Sequence, residues 1–270
     1  LEMNAIVAPL IKQGQSPYVI VNNHPELNIS VKGLYNYINQ QVLLVRDIDL
    51  KRKVKFKPRK NTKKGIANRE YLKGRTYNDF RSLNPKEFVE MDTVVSAKGS
   101  NKCILTFYIP EIELFVARIL TNNSFRCVKN AIDKMEKSLG TYAFLTMFGV
   151  CLTDRGSEFS DPIKLETGID GIQRTCIYYC DPMRSNQKGG IEQVHTLLRM
   201  ILPKGTVFEH LTQWDIRKCV DHINSYPREK LGGMTPYMLA LEKYDPDMLR
   251  ALQLKSIEPD TVNLTPSLLK

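Results

Sequence analysis

Three acidic side chains stand where elements of secondary structure are predicted to begin or end. Asp92 lies within a β-rich segment, FVEMDTVVS, and Asp154 directly follows the apolar segment MFGVCLT. Glu192 follows Gly189 and Gly190 at the start of a predicted helix, close to the positive end of its dipole. Taken singly, each acid is more readily explained as structural, as a turn cap or as part of a solvated helix face. Together they are candidates for one site.

Three converging carboxylates would repel one another unless they were protonated or bridged by cations. Because these ligands are oxygen atoms and no cysteine accompanies them, the hard divalent ions Mg²⁺ and Mn²⁺ are favoured. Two such ions, roughly 3.5 to 4 Å apart, activate an attacking oxygen and stabilise a leaving oxygen during in-line displacement at phosphorus. The three acids therefore predict phosphate chemistry with Mg²⁺ as cofactor and Mn²⁺ as its substitute.

The elements that must position these acids follow an α/β pattern after residue 87. Strands are predicted at 88–96, 102–108, 114–120 and 147–153, with a helix between the last two that Ser124 caps. The last strand delivers Asp154 at its carboxyl end, where open α/β sheets place ligand-binding groups. Neighbouring strand positions would bring Asp92 and Asp154 together. On the helix that begins at Gly189, His195 and Arg199 share a face with Glu192.

The first 50 residues predict a small all-α unit of three short helices. Ser16 with Pro17 and then Ser30 are helix start signals. Three helices in this order resemble a helix-turn-helix, whose last helix enters the major groove of DNA. Lys32, Asn36 and Gln40 are the donor-rich side chains of that helix. The alternative is a helical bundle whose exposed amides are merely solvated.

A basic segment, KRKVKFKPRKNTKKGIANREYLKGR, separates this unit from the α/β region and makes 51–87 a predicted linker. A flexible solvated linker and an arm that follows DNA phosphates both fit its composition, and the helices upstream favour the arm. The 270-residue chain has a formal net charge of +10, which indicates a polyanionic partner. Double-stranded DNA is therefore the expected partner.

Cysteine spacing and hydropathy exclude other classes of protein. The six cysteines include no C-x-x-C pair, so zinc and redox motifs are not predicted, and reduced thiols are expected. No apolar run approaches the length of a membrane span, and no secretory signal opens the sequence. We therefore expect an intracellular, cytoplasmic protein with no membrane contact. Since the sequence begins with Leu1, an alternative expectation is that the chain is a fragment of a longer protein and lacks an N-terminal DNA-binding segment.

Four segments in order resemble the DDE-type transposases of the insertion-sequence family numbered thirty. They are FVEMDTVVSAKG, LTDRGSEFSDP, CDPMRSNQKGGIEQVHTLLRMILPKGT and INSYPREKLGGMTPYMLA, of which NSYPREKLGGMTP is the most specific. Upstream, QSPYVIVNN and ISVKGLYNYINQ resemble that family's helix-turn-helix. The resemblance implies a ribonuclease H-like mixed sheet flanked by helices and preceded by a small all-α domain. The implied domains are 1–50, the linker 51–87, an integrase-like catalytic core at 88–245 and a tail at 246–270.

The resemblance also implies roles for individual residues. Asp92, Asp154 and Glu192 correspond to the family's catalytic, metal-binding triad. Arg199 corresponds to the basic residue that commonly stands seven positions after the glutamate, and we expect it to bind DNA phosphate. Arg228 and Lys230 lie in a basic turn that we expect to contact the DNA backbone, and an ordinary surface loop is the alternative. The expected reactions are strand cleavage at the ends of a mobile element and strand transfer into target DNA. Paired ends imply a homodimer or a higher oligomer.

The sequence departs from the family pattern around two of the acids. Arg155 stands where an asparagine usually follows the second acid, and Ile191 and Gln193 replace the usual polar neighbours of the glutamate. The interval between Asp154 and Glu192 is long, and a loop insertion at 166–175 would absorb it. The alternative function is therefore a DNA-binding regulator with a decayed, inactive core. A nuclease that cuts without joining is a third hypothesis, which the DNA-binding helices argue against.

Overall fold

The computed structural model describes residues 2–51, 70–182 and 184–270. Its first three helices are α1 (Glu2–Lys12), α2 (Pro17–Asn23) and α3 (Val31–Asn39). The hydroxyls of Ser16 and Ser30 accept hydrogen bonds from the first-turn N–H groups of α2 and α3, as the start signals predicted. The apolar faces of the three helices form a small hydrophobic cluster of their own. The all-α unit predicted at the N-terminus is therefore present.

The remaining elements alternate between strands and helices. The strands are β1 (Val89–Val95), β2 (Cys103–Ile109), β3 (Leu114–Leu120), β4 (Val150–Thr153) and β5 (Cys176–Tyr179). The helices are α4 (Tyr77–Leu83), α5 (Phe125–Leu139), α6 (Thr141–Phe148), α7 (Pro162–Glu166), α8 (Gly189–Ile201), α9 (Gln213–Asn224), α10 (Pro236–Lys243) and α11 (Pro246–Ala251).

The strands form a five-stranded mixed sheet in the order β3-β2-β1-β4-β5. β1, β2 and β3 are an antiparallel meander, whereas β4 and β5 run parallel to β1. This confirms the predicted α/β class and its mixed, ribonuclease H-like sheet. One boundary was wrong: Met147 and Phe148 end α6, so the fourth strand begins only at Val150. Both residues are buried, and a short apolar run fits a buried helix end as well as a buried strand, so the sequence pattern did not distinguish the two.

Helices cover both faces of the sheet, and alternation along β1 decides which residues meet them. The ring of Phe107 on β2 packs against Phe148, which places α6 on the same face as Met91, the register partner of Phe107. Asp92 faces the other way, toward α8. The acid of β1 thus points toward the helix that carries Glu192.

Side chains cover both edges of the sheet. Asn224 and Gln213 of α9 hydrogen-bond to the outer backbone groups of β3. On the opposite edge, the N–H of Ile177 donates to Glu166, which is paired with Arg75. Exposed edge groups invite pairing with other chains, so these contacts protect the sheet from association through its edges.

The predicted linker and tail are partly built into this core. Residues 52–69 lie outside the described residues, but α4, which the composition placed in the linker, packs Phe80 against Leu152 and Cys180. In the tail, Val262, Leu264 and Leu268 are buried in the main core. The segment around Val262 also accepts a hydrogen bond from Gln15, so the N-terminal helices rest on the tail. Among the described helices, none combines the length and apolar character needed to cross a membrane.

Candidate active site

Asp92 and Asp154 occupy matching places on two neighbouring strands. β1 and β4 pair in parallel, with Val89 opposite Cys151 and Glu90 opposite Leu152. The paired residues end at Glu90 and Leu152, and the same parallel register continued by two residues places Asp92 level with Asp154. The approach of the two acids stays a prediction.

The carboxylate of Asp92 is held by two donors. Its Oδ1 accepts a hydrogen bond of 2.8 Å from the backbone N–H of Thr93. Its Oδ2 lies 3.2 Å from Nζ of Lys188, whose side chain is only 7% exposed. Lys188 is the last residue of a 3₁₀ turn, Ser185–Lys188, that leads directly into α8. A buried ammonium group from the loop before α8 thus compensates the charge of the acid on β1.

Asp154 is exposed at the end of β4, and a glycine turn follows it. Its Oδ1 accepts a hydrogen bond of 2.9 Å from the N–H of Gly156. A Cβ at Gly156 would come within 2.5 Å of Oε2 of Glu158, so a larger residue here would displace that carboxylate. Glu158 is 7% exposed and its Oε1 accepts a hydrogen bond of 2.7 Å from the hydroxyl of Thr93. The turn after β4 is thereby tied to the residue that follows Asp92.

Glu192 lies in the first turn of α8, and close packing fixes the start of that helix against the sheet. A Cβ at Gly190 would collide with the ring of Tyr108, so this position also needs glycine. The N–H of Ile191 donates to Oε2 of Glu90 at 2.5 Å, which joins α8 to β1. Burial raises the pKa of Glu90, and Glu192 adds to the rise, while the N–H groups of α8 and Lys188 oppose it. Glu192 itself is exposed beside this junction.

Within the residues that the structure describes, the three acids do not form a closed cluster. Across residues 2–51, 70–182 and 184–270, no three carboxylate, imidazole or thiol side chains come close enough together to hold a metal ion. The donor chemistry nevertheless suits a hard divalent cation, since the nearby side chains offer carboxylate oxygens. One of these carboxylates already holds a cation, the ammonium group of Lys188. The residues therefore fit a divalent ion, provided that Lys188 gives way.

The side chain of His195 points toward the sheet and bonds to β2. Its Nε2 lies 2.9 Å from Oγ1 of Thr106, and that hydroxyl donates to the backbone oxygen of Asp92 at 3.0 Å. A hydroxyl has one hydrogen, so Nε2 must carry the proton that joins the imidazole to Thr106. Burial lowers the pKa of His195 to about 4, and Lys188 and Arg199 act in the same direction. The imidazole is thus a neutral structural group that supports β1 and β2.

The two arginines near the acids bind backbone oxygens. Arg199 donates from Nη2 to the carbonyl of Val95 at 3.1 Å, and burial lowers its pKa. Arg155, the departure from the family pattern, donates from Nε to the carbonyl of Cys180 at 3.0 Å and pairs with Asp181. Arg155 therefore ties the end of β4 to the end of β5, and Arg199 ties α8 to the end of β1.

The other predicted DNA-binding residues differ in how exposed they are. Lys32, Asn36 and Gln40 are exposed along and just after α3, the last of the N-terminal helices. Lys230 is exposed as well, with 75% of its side chain accessible.

Arg228 differs from these residues because it is largely buried. It pairs with Glu113 at 3.2 Å and donates to the carbonyls of Tyr226 and Ile223. Its guanidinium is used inside the protein, which departs from the expected contact with DNA.

Curated relatives carry names that agree with the resemblance seen in the sequence. Over 208 residues the chain is 29% identical to a probable transposase for insertion-like sequence element IS1161 of Streptococcus salivarius, covering 75% of this chain and 56% of that protein. The chain is similar to insertion-sequence transposases. It is 24% identical over 245 residues to the transposase for element IS4351 of Bacteroides fragilis, covering 87% and 71% of the two chains.

The family numbered thirty is itself represented among these relatives. The transposase for element IS30A of Escherichia coli is 31% identical over 83 residues, covering 31% of this chain and 21% of that one. The resemblance to insertion-sequence transposases is thus confirmed. The chain spans little more than half the length of the Streptococcus relative, 56%. No protein-family profile matches the chain.

Solved structures with a similar fold include integrases. The catalytic core domain of bovine immunodeficiency virus integrase is 16% identical with a TM-score of 0.42, covering 59% of this chain and 96% of that one. A chain of a simian T-cell lymphotropic virus intasome is 13% identical with a TM-score of 0.43, covering 80% and 68%. At such low identity and TM-score, neither similarity bears on activity.

Sequence patterns did not reveal three residues that shape the site. Lys188 contacts Asp92, and Glu90 contacts Ile191 of α8. Both contacts join parts of the chain that are distant in sequence. Glu158 stands two residues after Gly156, and its acidic side chain next to that glycine was the available signal. A buried acid or lysine close to candidate ligands becomes visible only when the sheet register is known.

Proposed function

We propose that this chain is a transposase that binds the ends of a mobile DNA element and catalyses metal-dependent strand cleavage and strand transfer. The observation that carries the proposal is the parallel register of β1 and β4, which, continued by two residues, places Asp92 of β1 level with Asp154 after β4. Glu192 lies in the first turn of α8, a helix that the Ile191 N–H joins to Glu90 of β1. The names of the relatives support the same activity.

Asp92, Asp154 and Glu192 would hold Mg²⁺, or Mn²⁺ as its substitute. The bound ions would activate the attacking oxygen and stabilise the leaving oxygen at phosphorus. The chain's own part is to fix the acids: the Thr93 N–H holds Asp92 and the Gly156 N–H holds Asp154. Held carboxylates lose little freedom when a ligand arrives, which favours binding.

We further propose that the exposed hydrogen-bond donors of α3 bind DNA. Lys32, Asn36 and Gln40 face solvent on one element, as a helix that enters the major groove requires. Lys230 offers a further charge for the phosphate backbone. The proposed partners are double-stranded DNA, at element ends and at the target, and a second copy of the chain that pairs two ends. The proposed place of action is the bacterial cytoplasm, at the nucleoid.

Cleavage of labelled duplexes that carry the terminal repeats of the flanking element tests the proposal. With Mg²⁺ or Mn²⁺, wild type should nick the element end, whereas Asp92→Asn and Asp154→Asn should lose about 1,000-fold or more of the rate. Asp247→Asn is the matched control, because Asp247 is 74% exposed in α11 and far along the chain from the site. DNA binding should change less than about twofold in all variants, since it rests on cationic and amide groups.

Two other results would replace the proposal. Metal-independent binding with no cleavage by wild type would favour a DNA-binding regulator with an inactive core. Cleavage without joined products would favour a simple nuclease.

A further inference from the structure

Lys188 brings a buried positive charge into the group of acids. Its side chain is 7% exposed, and Nζ lies 3.2 Å from Oδ2 of Asp92. The same ammonium lies 3.4 Å from the backbone oxygen of Met91. Burying an unpaired ammonium group is costly, so these oxygen partners are needed to keep Lys188 charged where it is.

A second carboxylate lies on the side of β1 that Lys188 approaches. Glu90 stands two residues before Asp92 and therefore on the same face of β1. It is 5% exposed, and its Oε2 accepts the N–H of Ile191, which stands three residues after Lys188. Lys188 contacts Asp92, and Glu90 is the next carboxylate along the same face of the strand.

The position of this ammonium group matches that of a cation bound by Asp92. Oδ1 of Asp92 is engaged by the N–H of Thr93, which leaves Oδ2 as the oxygen that Lys188 contacts. A divalent ion that binds Asp92 needs the same negative charge and lies close to the same oxygen. Two cations next to one another repel, so the two compete for this site.

A lysine is suited to such an exchange. Its compact charge sits on a flexible four-carbon stem, so Nζ can move without a change of backbone. An arginine in a bidentate pair would be held more rigidly. Glu90 offers the ammonium group a second acceptor near the first one.

We propose that Lys188 is the resident counter-cation of the site, a positioning residue that neutralises Asp92 until a divalent ion arrives. Lys188 then leaves Oδ2 of Asp92 and pairs with Glu90. This inference rests on the proposed function, because it takes Asp92 to be a metal ligand.

The exchange predicts opposite effects for two substitutions on metal affinity. Lys188→Met removes the competitor, so Mn²⁺ should bind with a Kd about tenfold lower than for wild type. Glu90→Gln removes the second acceptor, so the ammonium should stay on Asp92 and Mn²⁺ should bind more weakly. The double variant should resemble Lys188→Met, since no ammonium then needs an acceptor.

Mn²⁺ binding to the full chain, without DNA, measures this by calorimetry and by electron paramagnetic resonance. Lys164→Met is the matched control, because Lys164 is 67% exposed and pairs with the nearby Asp161. Its Kd should equal that of wild type. Circular dichroism of each variant verifies folding, and Glu90→Gln, which keeps the ammonium group on Asp92, keeps the test open if Lys188→Met fails to fold.

The outcomes separate the two proposals. If wild type binds Mn²⁺, Asp92→Asn does not, and Lys188→Met binds no more tightly than wild type, the role of Lys188 is wrong while the metal site stands. If neither wild type nor any variant binds Mn²⁺, both the metal site and the exchange are wrong. A tighter Kd for Lys188→Met together with a weaker one for Glu90→Gln supports the exchange, since a purely structural lysine gives no such opposite signs.

Discussion

Arg174 and Lys188 are both buried cations that pair with an aspartate, but the two clusters are built differently. Arg174 is fully buried, and its Nη1 binds Asp133 at 2.7 Å and Glu136 at 2.8 Å. Its Nε donates to the carbonyl of Leu165, so the fork is fixed at three acceptors. Lys188 has a single ammonium group, whose Nζ lies 3.2 Å from Oδ2 of Asp92. The other two candidate acids, Asp154 and Glu192, are exposed to solvent.

This difference separates an ion pair that holds a loop from one that can be exchanged. The acids around Arg174 also bind the loop at 167–175, since Glu136 accepts the N–H of Ile169. The exposed carboxylate of Asp170 near Glu136 serves the same loop, since it accepts the N–H of Ile172 and the hydroxyl of Thr141. Around Lys188, Asp154 and Glu192 are exposed. Burial of a charge alone therefore does not mark a functional site.

Removal of the fixed cation should have the largest effect on stability. Arg174→Met leaves Glu136, which has no exposed surface, without its cation. The free energy of unfolding should fall by about 3 to 5 kcal/mol, as measured by urea denaturation. Lys129→Met is the control: Lys129 is 32% exposed and pairs with Asp133, so its loss should cost less than about 1 kcal/mol. Equal effects of the two variants would contradict the distinction between the clusters.

Elements with local sequence signals could be predicted from the sequence, whereas contacts between distant segments could not. Helix caps and alternation predicted the meander, α5 and the start of α8, because those signals are local. β5 has four residues and α4 has seven, so neither offered a periodic pattern of useful length. The places of Asp92 and Asp154 followed from strand order. The partner of Asp92 did not, because Lys188 stands far along the chain, in the turn before α8.

Loss of the Thr106 hydroxyl should have an intermediate effect on stability. Thr106→Val keeps the shape of the side chain but leaves the imidazole Nε2–H of His195 and the backbone oxygen of Asp92 without the shared hydroxyl. The free energy of unfolding should fall by about 1 to 3 kcal/mol. Thr196→Val is the control, because Thr196 is exposed on the same helix and bonds only to the backbone of its own turn. A stability equal to that of the control would show that this hydrogen-bonded pair is dispensable.

An exposed ion cluster between the N-terminal helices and the tail should contribute least. His24 lies 2.7 Å from Glu26 and 2.9 Å from Asp260. Burial would lower the pKa of His24, but the hydrogen bonds to these two acids outweigh it and raise the pKa. The unfolded chain titrates near the ordinary value of 6.5, so the stabilisation is complete below that pH and is lost as the pH rises through the raised pKa.

Thermal melts of wild type and His24→Gln across this range measure the contribution. The difference between the two proteins should be largest in mildly acidic buffer and should shrink in alkaline buffer. It should stay smaller than the effect of Thr106→Val, because both acids that face His24 are mostly exposed. A difference that grows with rising pH would contradict the assignment.

Joining of a pre-cut element end to target DNA tests the central claim most directly. The assay compares wild type, Glu192→Gln and Glu242→Gln, in which Glu242 is an exposed glutamate on α10 that serves as the matched control. Wild type and Glu242→Gln should form joined products in Mg²⁺ or Mn²⁺ and none in a chelator, while Glu192→Gln should form none. Joined products from Glu192→Gln at the wild-type rate, or joining by wild type in the chelator, would contradict an active site built from these three acids.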